Sequence, residues 1–250
     1  MKIPKKISPD HIKQSVIAIR YASSIDFEIA LGMFFNALDE TYIYTNRPLN
    51  IKINERLTAV NFSDSGLMFN NSSLFFNDKI KIEIQKNSII FNCLDEYISW
   101  INYAPEIKKA LGQLLNAKVI DSFNGIGVRY ISHYPNVDLK NCINFNFTFG
   151  MPNVISKSYS FKSEFDLSGD VAIINLHNKM PLFDNKFENN QPVTIPVSIV
   201  DIDIIGKNVA FRKDELDNFM EKISALHQKE KEIFFTLLKD DFLLTLNPIY

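Results

Sequence analysis

The stretch Gly125-Ile-Gly-Val-Arg-Tyr-Ile-Ser-His-Tyr134 lies at the midpoint of the 250-residue chain. Two glycines free the backbone from the preceding segment, and Val128, Tyr130 and Ser132 then alternate with Arg129, Ile131 and His133 at the period of a strand. The pattern predicts a central strand that joins two halves of the chain.

Working outward, Ile12 to Ala22 alternates in the same way, and Ser23-Ser-Ile-Asp26 offers capping oxygens to a helix with Phe27, Leu31, Phe34 and Leu38 on one face. Tyr42–Tyr44, Leu57–Phe62 and Leu67–Phe76 read as short strands. Lys79 to Phe91 reads as another, with Ile80, Ile82 and Ile84 facing inward and a turn at Lys86-Asn87. Pro105 to Ala117 is predicted to be a helix with proline in its first turn, and Tyr97–Tyr103 to be either a preceding short helix or the kinked first part of the same one. Beyond the central strand, Val137–Phe149 alternates as a strand, and Val154–Leu167 with Gly169–His177 forms a hairpin. Asn178–Pro192 reads as a mobile loop and Val193–Ile205 as a long strand. Lys213–Leu238 reads as the last helix and Phe242–Leu246 as a closing strand.

The expectation is an α+β protein of two similar halves, 1–135 and 136–250, in one compact unit. Each half has mainly antiparallel strands and a long helix packed on one sheet face. The order of elements repeats best between Lys79–Ile131 and Val193–Leu246.

Composition narrows the function classes. The chain is 46% hydrophobic and 22% charged, so it can bury a core. With 27 basic and 29 acidic residues its net charge of -2 gives no overall field for nucleic acid, although a local basic patch is compatible with it. Cys93 and Cys142 lack CxxC spacing, which argues against a disulfide framework or zinc site. The start carries no signal-peptide pattern, and no stretch reaches the ~18 consecutive apolar residues of a membrane span. A cytoplasmic protein without cofactor or membrane contact is expected.

Three phrases carry a family resemblance: Gly127-Val-Arg-Tyr-Ile131, Tyr97-Ile-Ser-Trp-Ile101, and Leu226-His-Gln-Lys-Glu-Lys-Glu-Ile-Phe234 running into Leu238-Lys-Asp-Asp241. Over nearly its whole length the chain resembles a sporadically distributed bacterial family of uncharacterised proteins of similar size. Its members carry a Gly-Leu-Arg-Tyr-like central strand and a Leu-His helix ending in Thr-Asp. The chain departs from that pattern at Lys239-Asp240 and at Ser132, where members tend to have asparagine. The resemblance implies an α+β protein with no agreed enzymatic role, belonging to an accessory, defence-related type of bacterial system.

No phosphate loop, dinucleotide fingerprint, HExxH or GxSxG motif occurs in the chain. Gly125-Ile-Gly127 opens a strand, so it presents no helix N-terminus to a pyrophosphate. Asp201 and Asp203 share a strand face and form the weak alternative for a metal site; the favoured reading is a solvated face above buried Val200, Ile202 and Ile204. His227 and Glu230, three apart on the last helix, have the spacing of a base and its orienting carboxylate. Without a nucleophile they read as the hydrogen-bonded border of a buried face.

Arg129, if buried, must find a carboxylate, with Asp201, Asp203 and Asp240 as the partners available; otherwise it receives an anionic group. His133 shares its face. Trp100, flanked by Tyr97 and Tyr103, reads as core, with a partner-binding or base-stacking platform as its functional alternative. Lys229-Glu-Lys-Glu232 reads as a solvated helix face.

The binding candidates are therefore Arg129, Tyr130, His133, Trp100 and His227, and no catalytic residue is assigned. The expectation is a non-enzymatic protein-interaction or regulatory component with a protein partner or self-association. The alternative is an enzyme or binding module for a phosphate-containing or nucleic-acid ligand.

Overall fold

β1 (Ile12–Ala22) and β6 (Ser122–Pro135) pair antiparallel through the middle of a single sheet. The computed structural model describes residues 3–45, 73–145, 157–188 and 191–250; the expectations for Leu57–Phe62, 67–72, Phe147, Phe149 and Val154 lie outside them. The other strands are β2 (Ile43–Thr45), β3 (Ser73–Phe76), β4 (Ile80–Gln85), β5 (Ser88–Cys93), β7 (Tyr159–Asp166), β8 (Asp170–Glu188), β9 (Gln191–Gly206) and β10 (Phe211–Arg212). Their order is β2-β3-β4-β5-β1-β6-β9-β8-β7, all antiparallel, with β10 added at the end of β6.

Alternation decides which face is covered. Ile17, Ile19 and Tyr21 of β1, Val128 and Tyr130 of β6, and Val200, Ile202 and Ile204 of β9 lie in one core. That core also holds the inner faces of α1 (Phe27–Ala37), α2 (Trp100–Asn116) and α4 (Leu216–Leu237), with Leu139 of the short α3 (Leu139–Cys142) and Leu243 of α5 (Asp240–Thr245). The helices thus cover one side. Among the described residues the opposite side has a small separate cluster of Ile131, Val197 and Ile199, bordered by Leu182 and Ile195. The mixed α and β content and the antiparallel sheet agree with the sequence reading. Among the described residues no helix is long and apolar enough to cross a membrane.

Several expectations need correction. α2 begins at Trp100, so Pro105 sits inside the helix and not in its first turn. The carbonyl that loses its donor belongs to Ile101, an exposed residue where water can substitute. Val137–Phe149 is not one strand: the Asp138 side chain accepts from Lys140 N and starts α3, after which Ile143 bridges to Leu238. Asn178–Pro192 is not an open loop, because β8 continues to Glu188 and pairs with β9 past a bulge at Asn178-Lys179. The bulge is held by Asn178 Oδ1, which accepts from Leu139 N, and by Ser198 Oγ, which accepts from Lys179 N. Phe242–Leu246 is largely helical: Asp240 and Asp241 favour a helix N-terminus, and Leu243 and Leu246, three apart, both point inward.

Candidate functional site

The sheet divides the sequence-predicted residues between two sites. Arg129, His133, Asp201 and Asp203 project from the helix-free face. Tyr130, Trp100 and His227 lie on the other side, beneath the helices. An enzymatic cleft built from Arg129, His133, His227 and the two aspartates requires groups that this geometry keeps apart.

On the helix-free face, Arg129 Nε and Nη2 donate to Asp201 Oδ1 and Oδ2, each at 2.8 Å. Asn175 Nδ2 of β8 also donates to Asp201 Oδ2, at 3.0 Å. The pair is almost fully withdrawn from water, with side chains 11% and 0% exposed. Burial alone would lower the Arg129 pKa, but the hydrogen bonds and charge of Asp201 outweigh it and raise it. This is the internal ion pair that a buried arginine on a central strand demands, with Asp201 as the partner.

Asp203 is left with a share of the same guanidinium. Burial pushes its carboxyl up to about 6; the charge of Arg129 pulls it down and that of Asp201 pushes it up further. Beside it lies Gly127. A Cβ built on Gly127 would lie 3.7 Å from Ala18 Cβ and 3.8 Å from Asp203 Oδ1, so there is room for a methyl group in ordinary contact. His133, further along β6, is held neutral by burial and by Lys13, its pKa lowered to about 4. Among the described residues no group of three His, Cys, Asp or Glu side chains is placed to hold a metal ion.

Beneath the helices the arrangement is aromatic and polar together. Trp100 of α2 stacks on His227 of α4 at 4.3 Å between ring centroids and 19° between planes. His227 also lies 5.4 Å from the Tyr130 ring, which meets Tyr97 edge to face at 5.4 Å. Burial drives the His227 pKa down to about 4, with Lys231 adding to the effect. One turn on, Glu230 is buried without a hydrogen bond or ion pair among the described residues, and burial pushes its carboxyl up to about 8. The expected hydrogen-bonded border is therefore wrong in its second half: His227 and Glu230 are inside, but His227 Nδ1 has no partner.

The charge run at 229–232 is also not a solvated face throughout. Lys229 reaches Asp170 at 2.6 Å and Lys222, two turns earlier on α4, reaches it at 3.0 Å. Burial pushes the Asp170 carboxyl up, yet the two lysines and the Lys207 N–H together hold it below the ordinary carboxylate range. Sequence reading missed Asp170. The available signal was the seven-residue spacing of Lys222 and Lys229, which puts two cations on one stripe of a helix.

A surface depression of about 370 Å³ lies along α4, lined by Asn144, Glu232, Ile233, Thr236 and Leu237, and it contains none of the candidate residues. No protein-family model matches the chain, and no curated protein matches it.

Proposed function

We propose that the chain is a non-enzymatic protein-interaction component and that it contacts its partner through the helix-free face of the sheet at Asp203. One observation carries this reading: two carboxylates, Asp201 and Asp203, face a single guanidinium, and Arg129 gives both of its hydrogen bonds to Asp201. A lysine or arginine side chain from a partner protein would supply the missing positive charge. Such a pair would add a charge-assisted hydrogen bond to a carboxylate that now shares a guanidinium. The same geometry weighs against the phosphate or nucleic-acid alternative, because the guanidinium that would receive an anion is already engaged. The resemblance to the sporadic bacterial family supports placing this component in an accessory, defence-related system.

The two-halves reading belongs here as well. Its support is the strand order: β5 returns to pair with β1, β9 returns to pair with β6, and a long helix, α2 or α4, follows each return. On this reading we set the division in the connection between α2 and β6, earlier than the boundary at 135 expected from the sequence, with β1 and β6 meeting at the seam. Superposition of Ile12–Asn116 on Ser122–Leu237 in an experimental structure, with strand directions and helices coinciding, tests it.

The functional test is capture of the tagged chain from its own cells beside an Asp203→Asn variant, which changes charge at nearly constant shape. A stoichiometric protein held by the parent and lost from the variant supports the reading. A partner held equally by both, or nucleic acid in its place, contradicts it.

A further inference from the structure

The space between α4 and the centre of the sheet contains more buried polar atoms than the protein itself satisfies. Among the described residues, Ser15 Oγ, Tyr130 Oη, Tyr134 Oη and His227 Nδ1 are sealed from bulk solvent without a well-formed hydrogen bond, Tyr97 and Ser132 only lying close to the hydroxyls of Tyr130 and Tyr134, and Glu230 has none. Ser15, Tyr130 and Glu230 are 2%, 3% and 6% exposed.

These groups are also neighbours. Ser15 and Tyr130 face each other across the β1–β6 ladder. The His227 ring is 5.4 Å from that of Tyr130, and Glu230, one helical turn further on, is close enough to Tyr97, Tyr130 and Tyr134 to raise the pKa of all three. A lone buried hydroxyl is an ordinary packing defect. Several that converge are a site, because each would otherwise carry the cost of lost hydration.

We infer that this interior is a binding site for ordered water, held as a hydrogen-bonded chain that runs between Ser15, Tyr130, His227, Glu230 and Tyr134. The chemistry of the lining selects an uncharged guest. Hydroxyls and a neutral imidazole both give and accept hydrogen bonds, and burial keeps Glu230 protonated and His227 unprotonated near neutral pH. The nearest cation, Lys231, turns outward, where its ammonium donates to the Lys5 carbonyl. Water satisfies such groups in folded interiors by making about three hydrogen bonds at once. Glu230 in its acid form then acts as a donor into the chain.

The test is a crystal structure of the full chain at a resolution that orders internal solvent, with Tyr130→Phe solved and melted alongside. The expected result is solvent density within hydrogen-bonding distance of Tyr130 Oη and Ser15 Oγ. In Tyr130→Phe that density is lost or displaced and Tm falls, because a bonded hydroxyl has been removed. An empty interior, or density that only a larger or charged molecule can fill, overturns the inference whatever the melting shows. A Tyr130→Phe protein that melts higher than the parent also overturns it, since removing an unsatisfied hydroxyl stabilises.

Discussion

Arg129 bonds to Asp201 and not to Asp203, although Asp203 is its direct partner across the β6–β9 ladder and Asp201 lies diagonally, opposite Ile131. The long arginine side chain leans along the strand and reaches the diagonal neighbour, where both oxygens can be engaged at once. Asn175 completes the Asp201 site from the next strand. The consequence is a central sheet fixed by one closed pair, with a second carboxylate beside it that lacks a hydrogen bond of its own.

Arg129→Ala strands the Asp201 carboxylate in the interior. Breaking a buried pair from one side costs roughly 3–5 kcal/mol, and denaturant unfolding should show a loss of that size. Arg129→Met with Asp201→Leu removes both charges and should recover most of it. A folded Arg129→Ala protein with unchanged stability contradicts the structural role of the pair.

Glu230 governs stability on the alkaline side. Its folded pKa is raised from 4.5 to about 8, so its contribution is full below about 4.5 and is lost as pH rises toward 8. The groups facing it are Tyr97, Tyr130, Tyr134 and His227, all uncharged near neutrality, with Lys231 outside. His133 and His227 run the other way: their folded values near 4 make stability rise with pH until the unfolded value of 6.5 is passed. Between pH 6.5 and 8 the Glu230 effect stands alone, on the order of 1 kcal/mol lost per pH unit. Glu230→Gln should flatten that slope in urea titrations at stepped pH. A parent protein as flat as the variant refutes the assignment.

Asp170 ties α4 to the start of β8. Asp170→Asn leaves Lys222 and Lys229 able to turn to water, so the expected loss is moderate, about 1–3 kcal/mol. Hydrogen exchange should quicken along α4 more than along α2. Uniform exchange across both helices contradicts a local tie. The depressed Asp170 pKa adds a sign: this stabilisation is present at neutral pH and disappears on acidification through the carboxylate range.

Two glycines of similar crowding should respond differently to alanine. At Gly206 the new Cβ meets Leu226 Cδ1 at 3.1 Å and Val209 Cγ2 at 3.2 Å, both in the core, so these packed side chains must give by a few tenths of an ångström. Thermal unfolding should show a cost of about 1–3 kcal/mol. At Gly125 the contacts, also 3.1–3.2 Å, are all to exposed Arg20, whose Cγ and Cδ can swing into solvent while its Cβ is held by the paired strand. Gly125→Ala should cost less than Gly206→Ala, because only its Cβ contact is fixed, and equal losses at the two sites contradict this reading.

The strands were legible where one face is buried, because alternation is then forced: Ile80-Ile82-Ile84, Val128-Tyr130 and Val200-Ile202-Ile204 all sit where their period puts them. The antiparallel sheet followed from the same pattern. Legibility failed where a local signal competes with tertiary pairing. Asn, Pro and charge made 178–192 look like a loop, yet a bulge at Asn178-Lys179 absorbs the irregularity and the ladder continues. At the site, the ion pair of Arg129 was readable from its place on a central strand, but the choice of Asp201 over Asp203 depends on a diagonal reach that spacing does not encode. Glu230 looked solvated because its neighbours are charged. It is nonetheless buried, because it follows Ile223 and Leu226 at helical spacing on the inward stripe of α4.

The contact at Asp203 also has a pH signature. A partner lysine or arginine pairs with the ionised carboxylate, so binding should weaken as pH falls through about 6, the value to which burial raises Asp203. Asp203→Asn should bind weakly at every pH. Association that is pH-independent from 5 to 7.5 in the parent speaks against Asp203 as the contact.

The most direct measurement of the account is carbodiimide cross-linking of the chain to its captured partner, followed by mapping of the joined residues. The reagent links a carboxylate only to an amine in contact with it. The account predicts a cross-link from Asp203 to a partner lysine, or protection of Asp203 from modification where the partner supplies arginine. Cross-links confined to the helical side of the molecule, with Asp203 modified equally in the free and bound chain, would contradict it.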